Sequence, residues 1–391
     1  MTLTQAGPAR TGAWLEDPGF GVYVHIPFCR HRCHYCDFNT YEGQADLHRS
    51  YVDALIATIE SAPRPSRPAT SVFFGGGTPT LLEAGELARI LDAVRLALGV
   101  EEDAEVTVEA NPETVDERVF AALLEAGFNR FSVGVQSLVP HVLRGLGRTH
   151  GPDVAVGALR AARRAGVEDL NADLIYGSPW ERGGDWLRTL EEVVELSPEH
   201  VSCYALTVEE ETPLATLVAT GRVPDVDPDV QAERHGVAES LLGAAGYRRY
   251  EVSNWARPHR ASRHNVLYWS AGDYLGLGAG AHGHVAGRRC WNVRLPREFI
   301  GAARAGSPVE QGAEVLGPDQ RAGEALMLGL RLSSGIDEPG FVRRFGAEGL
   351  AGRAAAISEL GDRGLVVRDG DRLKIPAQTT LVANEALCTL L

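Results

Sequence analysis

Lysine is almost absent from this chain of 391 residues, because Lys374 is the only one and arginine supplies the other basic side chains. A phosphate-binding P-loop needs a Gly-Lys-Ser or Gly-Lys-Thr run, and the sequence contains none. A Schiff-base mechanism, including pyridoxal chemistry, needs a lysine in the site, whereas Lys374 lies in a short hairpin pattern. The scarcity of lysine therefore argues against both classes of protein.

Long apolar runs are also absent. No segment approaches the ~20 apolar residues of a membrane span, and the first 20 residues lack the basic and apolar regions of a secretory signal. A net charge of −14 argues against a nucleic-acid binder, whose footprint is usually a basic face. We therefore expect a cytoplasmic protein with reduced thiols, and peripheral contact with a membrane stays open.

Three of the six cysteines, Cys29, Cys33 and Cys36, lie close together with Cys-x3-Cys-x2-Cys spacing. A short loop of this kind lets three thiolates converge on one point, and three is an odd number for disulfides. One interpretation is a Cys3His zinc site, with His31 or His34 as the fourth ligand. The other is a four-iron cluster with three thiolate ligands, which leaves one iron open to a substrate.

Apolar runs alternate with amphipathic patterns from Val22 to Leu206. This order predicts an α/β protein with six strand–helix units, resembling an incomplete eight-unit barrel. In such folds the loops at the carboxyl ends of the strands converge on one face. We therefore expect the cysteine loop, the Gly75–Gly77 triplet, Glu109 and Gln136 to meet in space. The predicted strands cover residues 22–27, 71–74, 105–108, 130–135, 169–176 and 200–206, and the predicted helices 45–61, 83–98, 115–127, 152–165 and 184–196.

The strict alternation fades after Leu206, which suggests four divisions of the chain. We expect a leader over residues 1–20, a barrel core over 21–210 and an extension of the barrel over 211–315. The last division, residues 316–391, combines helices with a hairpin pattern and so resembles a small mixed α/β, winged-helix-like module.

Three further motifs follow predicted strands: Gly75-Gly76-Gly77-Thr78-Pro79, Glu109-Ala110-Asn111-Pro112 and Gly134-Val135-Gln136-Ser137. Together with the cysteine loop they resemble the radical S-adenosylmethionine (SAM) superfamily, and the whole set favours iron–sulfur over zinc. The runs Tyr-x-His-Ile-Pro-Phe-Cys, Gly-Gly-Gly-Thr-Pro-Thr and His-Asn-x-x-Tyr-Trp narrow the resemblance to the family of oxygen-independent coproporphyrinogen III oxidase and related haem chaperones. The resemblance implies a radical SAM partial (βα)6 TIM-like barrel with an added C-terminal module.

The resemblance also implies two cofactors. Cys29, Cys33 and Cys36 would ligate three irons of a [4Fe-4S] cluster, and the open iron would bind S-adenosyl-L-methionine. An electron from the cluster then cleaves a carbon–sulfur bond of SAM and releases a 5′-deoxyadenosyl radical. The positions that match the family at the SAM site are Tyr23, Phe38, Gly76, Gly77, Thr78, Glu109, Gln136, Arg148 and Asp173.

Phe38 distinguishes the two branches of the family. The oxidase motif continues with a fourth cysteine two places after the third, whereas this chain has Phe38 there. The oxidase also carries a longer N-terminal extension than the 20 residues that precede the first strand here. We therefore expect a haem chaperone that passes haem b to acceptor haem proteins, with oxidative decarboxylation of coproporphyrinogen III as the alternative.

The haem chaperone interpretation assigns haem contact to His264, Asn265, Tyr268 and Trp269. Histidine is a common axial ligand of haem iron, and the aromatic rings would supply an apolar face. Without the family context, a histidine beside Tyr and Trp is more often a packed, hydrogen-bonded core residue. His282, His284 and Cys290 are rival ligands. The haem acceptors that this interpretation suggests are respiratory, membrane-associated proteins. Whether the chain forms a homodimer is left open by the sequence.

Overall fold

The computed structural model describes residues 13–382 and 387–391, so most of the expected leader, residues 1–12, lies outside the described part. The strands are Phe20–Ile26 (β1), Phe28–Cys29 (β2), Tyr41–Glu42 (β3), Ala69–Gly76 (β4), Val100–Ala110 (β5), Arg130–Gln136 (β6), Leu170–Tyr176 (β7), His200–Ala205 (β8), Arg248–Arg249 (β9), Asn254–Ala256 (β10), Asp273–Leu277 (β11), His282–Val285 (β12), Arg288–Asn292 (β13), Glu310–Val315 (β14), Ile336–Asp337 (β15), Val367–Asp369 (β16) and Arg372–Lys374 (β17). The α-helices are His48–Ser61 (α1), Ala84–Leu98 (α2), Glu117–Ala126 (α3), Pro140–Gly145 (α4), Pro152–Ala165 (α5), Asp185–Leu196 (α6), Pro213–Ala219 (α7), Pro228–Ala244 (α8), Arg263–Trp269 (α9), Pro296–Arg304 (α10), Pro318–Gly329 (α11), Glu338–Phe345 (α12), Ala347–Ala351 (α13) and Ala354–Asp362 (α14).

Six parallel strands form the centre of the large sheet in the order β1-β4-β5-β6-β7-β8. Each strand is followed by helical structure, as the alternation predicted. Strand β6 is buried along its whole length, which is typical of a parallel strand covered on both faces. The six strand–helix units and the partial barrel predicted from the sequence are confirmed.

Further strands extend this sheet at both edges, and the sequence patterns did not predict them. Strand β11 pairs in parallel with β1, and β12, β13 and β14 continue the sheet as an antiparallel meander. Strands β10 and β9 extend it beyond β8. These edge strands are short or half exposed, so they lack the continuous apolar runs that mark the central strands.

Capping residues determine where helices α3 and α5 of the barrel begin or end. Helix α3 begins after Asp116, whose carboxylate accepts a hydrogen bond from the backbone N–H of Val119, and it ends at Gly127 with φ of 95°. Helix α5 ends at Gly166 with φ of 93°. Glycine adopts this left-handed conformation without the Cβ clash that other residues meet, so it stops both helices where the chain turns toward the next strand.

The residues after Leu316 form helices α11 to α14 and a three-stranded sheet of order β15-β17-β16. Their buried apolar side chains form a second core, which also receives Trp14. The Trp14 ring lies 6.5 Å from the Phe341 ring, centroid to centroid. No helix within the described residues is long and apolar enough to cross a membrane.

Candidate functional site

The carboxyl ends of the parallel strands surround a cavity of about 380 Å³. The cysteine loop enters it after β1, the glycine triplet lies at the carboxyl end of β4, and later strands contribute acidic and amide side chains. The structure therefore brings together groups that are scattered along the sequence. The predicted residues that line the cavity are Cys29, Cys33, Cys36, Phe38, Gly76, Gly77, Thr78, Glu109, Gln136, Arg148 and Asp173.

The three cysteines are half-buried free thiols in one wall of the cavity. Burial raises the pKa of Cys29 to about 11, and burial also raises the pKa of Cys36. Within the described residues, no three Cys, His, Asp or Glu side chains form a ready-made metal site. The chemistry of three thiols on one short loop fits an iron–sulfur cluster with an open iron, and the assignment rests on that chemistry and on the cysteine spacing.

Arg148 connects the cysteine loop to the floor of the cavity. Its guanidinium donates hydrogen bonds to the sulfur of Cys33 at 3.4 Å and to the side-chain oxygen of Asn111 at 2.6 Å. Asn111 in turn donates to the hydroxyl oxygen of Thr78 at 2.9 Å. The Nε atom of Arg148 is buried without a partner. A buried cation with a free donor suits a site that holds anionic thiolates or the carboxylate of a ligand.

The glycine triplet passes close to neighbouring backbone. A Cβ on Gly77 would lie 2.5 Å from the carbonyl oxygen of Phe28, and Gly76 has φ of 111°. The N–H groups of Gly77 and Thr78 donate to the carbonyl oxygens of Ile26 and Phe28, both at 2.8 Å. The triplet therefore fastens the end of β4 to the chain that leads into the cysteine loop.

Glu109 and Asp173 place two carboxyl groups in the cavity wall. Burial and the neighbouring Asp173 raise the pKa of Glu109 to about 8, although the N–H of Gly76 donates to it at 3.1 Å. Burial also raises the pKa of Asp173, which accepts hydrogen bonds from Ser132 at 2.7 Å and from Asn171 at 2.8 Å. Two neighbouring half-buried carboxyl groups favour a cationic ligand, which would stabilise their ionised forms.

Three of the residues predicted to bind SAM differ in how they are placed relative to the cavity. Tyr23 does not line the cavity: its hydroxyl lies 2.9 Å from Nδ1 of His25, behind the wall. Phe38 lies at the rim with 63% of its surface exposed. Gln136 ends β6 with φ of 64°, a conformation that is uncommon for a residue other than glycine.

Several cavity residues were not identified from the sequence, among them Tyr35, Ser132 and Tyr204. Tyr35 directly precedes Cys36, and Tyr204 lies near the carboxyl end of β8. A position in the cysteine loop or near the carboxyl end of a strand is the sequence feature that could have identified these two tyrosines. Ser132 faces inward from the middle of β6, which a pattern of uniformly buried residues does not disclose.

The four predicted haem residues lie on α9, away from the cysteine cavity. His264 is 1% exposed, with Nδ1 2.9 Å from the Ser71 hydroxyl and Nε2 2.8 Å from the Tyr268 hydroxyl. Burial lowers its pKa to about 3. This is the packed, hydrogen-bonded arrangement that was the alternative for His264, and its haem contact stays a prediction.

The other members of this motif differ in their surroundings. The side-chain amide of Asn265 donates to the Tyr250 hydroxyl at 3.3 Å, and the Arg331 guanidinium lies 5.7 Å from the Trp269 ring centre. Tyr268 alone of the four lines a large second cavity. The structure thus buries His264 in the interior, whereas Asn265, Tyr268 and Trp269 are partly exposed and Tyr268 borders the second cavity.

Comparison with protein families identifies two regions of the chain. The family model described as the Radical SAM superfamily matches residues 23–193. A second family model, described as the HemN C-terminal domain, matches residues 316–380. The matches correspond to the partial barrel and to the C-terminal helices with their small sheet.

Curated relatives match over most or all of the chain. A protein of Mycobacterium tuberculosis named heme chaperone HemW is 41% identical over 100% of both chains. The Escherichia coli protein of the same name is 40% identical over 72% of this chain and 76% of its own length. A mitochondrial protein of Bos taurus, radical S-adenosyl methionine domain-containing protein 1, is 35% identical over 95% of this chain and 87% of its own.

Among solved structures, coproporphyrinogen III oxidase (HemN) from Escherichia coli superimposes with a TM-score of 0.81 at 23% identity. The match covers 97% of this chain and 91% of the oxidase. At this identity the likeness establishes a shared fold, including the added C-terminal part.

Proposed function

The chain belongs to the radical SAM superfamily, in the family of HemW proteins, and from this membership we propose that it is a haem chaperone that binds haem b and transfers it to acceptor haem proteins. The observation that carries the proposal is the 41% identity with a protein named heme chaperone HemW over the full length of both chains. The exposed Phe38, in place of the oxidase's fourth cysteine, supports the same branch.

We further propose that the cysteine cavity holds a [4Fe-4S] cluster and SAM. The cluster, when bound, would supply the electron that cleaves a carbon–sulfur bond of SAM. Cys29, Cys33 and Cys36 would ligate iron, and Arg148 would balance the charge of the thiolates from its position 3.4 Å from Cys33. Glu109 and Asp173 would face the positive charges of SAM, and the backbone of Gly76 and Gly77 would allow its close approach.

An anaerobic absorbance titration of haemin into the cluster-reconstituted protein tests the chaperone function. We expect a saturable change in the Soret band and transfer of the bound haem to an apo-cytochrome. A parallel incubation with coproporphyrinogen III, SAM and a reductant should leave that substrate unchanged. Formation of protoporphyrinogen would instead assign the oxidase activity, and the absence of saturable haemin binding would refute the chaperone proposal.

The cluster proposal has a separate test. Cys33→Ala should lose most of the iron and sulfide that the reconstituted protein binds, because three thiolates are the fewest that hold a four-iron cluster with one open iron. Cys388→Ala is the matched control, since Cys388 is an exposed thiol that does not line the cavity. Equal iron and sulfide content in the two variants would contradict the assignment.

A further inference from the structure

A row of polar side chains connects the cysteine cavity with helix α9 through the interior of the barrel. Asp173, in the cavity wall, accepts a hydrogen bond from the side-chain amide of Asn171 at 2.8 Å. The side-chain oxygen of Asn171 lies 2.7 Å from Nδ1 of His200, and Nε2 of His200 lies 3.0 Å from the Tyr250 hydroxyl. The side-chain amide of Asn265, on α9, donates to that hydroxyl at 3.3 Å. These consecutive hydrogen bonds, which we call the polar row, join the predicted SAM site to the His-Asn-x-x-Tyr-Trp motif.

Strands β7 and β8 position the middle of the polar row. Asn171 and Asp173 are two residues apart on β7, so their side chains point to the same face of the sheet. His200 is the first residue of β8 and lies beside Asn171 in the register of the two strands. Asn171, His200 and Tyr250 are all buried. Because buried polar groups depend on each other for hydrogen bonds, the loss of one member leaves its neighbours unsatisfied.

Every hydrogen bond of the polar row points toward Asp173. An ionised carboxylate can only accept, so Asn171 presents its amide nitrogen to Asp173 and its oxygen to His200. The Nδ1 atom of His200 therefore carries the proton. Burial lowers the pKa of His200, which keeps its ring neutral, so Nε2 accepts from the Tyr250 hydroxyl and the Tyr250 oxygen accepts from Asn265. Aligned hydrogen bonds polarise one another, so a stronger acceptor at one end strengthens the whole row.

Helix α9, at the other end of the row, holds His264 inside the protein. His264 is 1% exposed, and its two ring nitrogens face the hydroxyls of Ser71 and Tyr268. A histidine binds iron through a ring nitrogen that reaches the metal. Haem contact at His264 therefore requires α9 to leave the arrangement described here, which we call the closed state. Any interaction that stabilises the closed state opposes haem binding at this residue.

We propose that His200 and Tyr250 are positioning residues that couple SAM binding in the cysteine cavity to the closed state of α9, so that SAM lowers the affinity of the chain for haem. The inference rests on the proposed chaperone function and on haem contact at the motif of α9. Asp173 stays ionised beside the positive charges of SAM, and a hydrogen bond to a charged acceptor is about twice as strong as a neutral one. The polar row then holds Asn265, and with it α9, more firmly. SAM would thus favour release of the haem, a function that needs no cleavage of its carbon–sulfur bond.

Haemin titrations with and without SAM measure this coupling in the cluster-reconstituted full chain. No reductant is added, so that SAM stays intact. We expect SAM to weaken haemin binding at least about fivefold, the lower end of the usual range for coupled sites. Haemin should weaken SAM binding by the same factor, because coupling between two binding equilibria is reciprocal. SAM should also slow hydrogen–deuterium exchange at residues 263–269.

Tyr250→Phe interrupts the polar row but keeps the aromatic ring. In this variant SAM should change neither the haemin affinity nor the exchange at residues 263–269. Tyr247→Phe is the matched control, since Tyr247 is also buried and its hydroxyl donates to the Pro198 carbonyl oxygen at 2.6 Å, outside the row. The control should keep the full response to SAM. Circular dichroism and cluster content of each variant verify that the protein remains folded.

The possible results distinguish the coupling from the chaperone function. If the wild type binds both ligands but SAM leaves haemin binding unchanged or makes it tighter, the coupling is refuted and the chaperone proposal stands. If Tyr250→Phe responds to SAM as Tyr247→Phe does, the effect takes another route and the roles of His200 and Tyr250 are refuted. If haemin does not bind saturably, the chaperone proposal fails. The exchange measurement alone then decides whether the polar row links SAM to α9.

Discussion

Glu109 is a half-buried carboxyl group that holds its proton more tightly in the folded chain than in water. Its pKa of about 8 in the folded chain exceeds its usual value of 4.5, because burial and Asp173 disfavour the charged form. Between these two values the folded chain holds a proton that the unfolded chain releases. The contribution of Glu109 to the free energy of unfolding therefore falls as pH rises through this window.

A positively charged ligand should make the ionised form of Glu109 more favourable than the protonated form. Binding of SAM beside Glu109 favours the carboxylate, so the proton must leave on binding below about pH 8. We expect the affinity for SAM to rise as pH increases from 6 toward 8, by up to about tenfold per pH unit, and then to level off. Isothermal titration calorimetry in buffers of different ionisation enthalpy measures both the affinity and the released proton.

The Glu109→Gln variant is the control for this pH effect. The glutamine amide accepts the same hydrogen bond from Gly76 but cannot titrate. Its weaker SAM binding should show a smaller dependence on pH than the wild type. Identical pH profiles for the two proteins would contradict the role of the Glu109 proton.

Gly77 is the subject of a second prediction, because neighbouring backbone already occupies the space that a side chain at this position would need. A Cβ there would lie 2.5 Å from the Phe28 carbonyl oxygen, so Gly77→Ala should lower the free energy of unfolding by about 1–3 kcal/mol and weaken SAM binding. Gly85→Ala is the matched control, since a Cβ at this exposed helical position meets nothing within 4 Å. It should leave SAM binding unchanged and raise stability slightly. Urea unfolding and SAM titration of both variants are the measurements, and equal behaviour would disprove the close-packing argument.

At this scale the sequence predicted which side chains would come together at one cavity, but it did not predict how each of them is oriented. Glu109 and Arg148 both line the cavity: Glu109 lies at the carboxyl end of β5, and Arg148 lies in the loop between α4 and α5. Tyr23 lies behind the wall, because its side chain pairs with His25. Which way a side chain packs depends on its neighbours across the barrel, and a single sequence does not contain that information.

Helix α9 is fixed at its beginning by one carboxylate from another element. Glu105, on β5, accepts hydrogen bonds from the backbone N–H groups of Arg263 at 2.9 Å and His264 at 3.0 Å. The Ser262 hydroxyl also donates to it at 3.2 Å. A carboxylate at the first turn satisfies N–H groups that the helix itself leaves unpaired, and it also interacts favourably with the helix dipole.

Glu105→Gln should therefore loosen α9. The amide replaces one acceptor oxygen with a donor, which leaves a backbone N–H unsatisfied at a cost of about 1–3 kcal/mol. We expect faster hydrogen–deuterium exchange at residues 263–269. Asp103→Asn is the control, because the side chain of Asp103 is 74% exposed and pairs with the side chain of Arg263. Equal exchange in the two variants would show that Glu105 does not stabilise the helix.

The elements differ in how well their sequences predicted them. Helix α5 begins and ends at the predicted residues, since Pro152 favours the first turn, Gly166 stops the last, and alanines mark the buried face between them. Strands β12 and β13 form an antiparallel pair within the run rich in histidine and aromatic residues. They have no regular apolar alternation, so only their pairing in the sheet reveals them.

On the scale of the whole molecule, two distant parts of the chain share one core. Trp14 packs in the C-terminal core, and the carboxylate of Glu16 accepts hydrogen bonds from Arg343 at 2.5 and 2.7 Å. The alternation of strands and helices predicted the barrel because each unit is local. It did not predict this contact, which depends on residues more than 300 positions apart.

This shared core should contribute strongly to stability. Phe341 is fully buried, so Phe341→Ala should lower the free energy of unfolding by about 3–5 kcal/mol, through lost burial and the cavity left behind. Phe38→Ala makes the same change at a residue that is 63% exposed and should alter stability little. Denaturant unfolding monitored by tryptophan fluorescence compares the two variants. Equal losses would contradict the importance of the C-terminal core.

The position of β1 inside the sheet has a consequence for biosynthesis. β1 ends at Ile26, and β11, its partner on one side, begins at Asp273. At ~5–20 residues per second, a ribosome needs on the order of tens of seconds to make the intervening chain. During that time one edge of the nascent strand has no partner and is open to pairing with another chain. A product that stops before Asp273 would keep this edge, so truncated translation products should aggregate or depend on cellular folding factors.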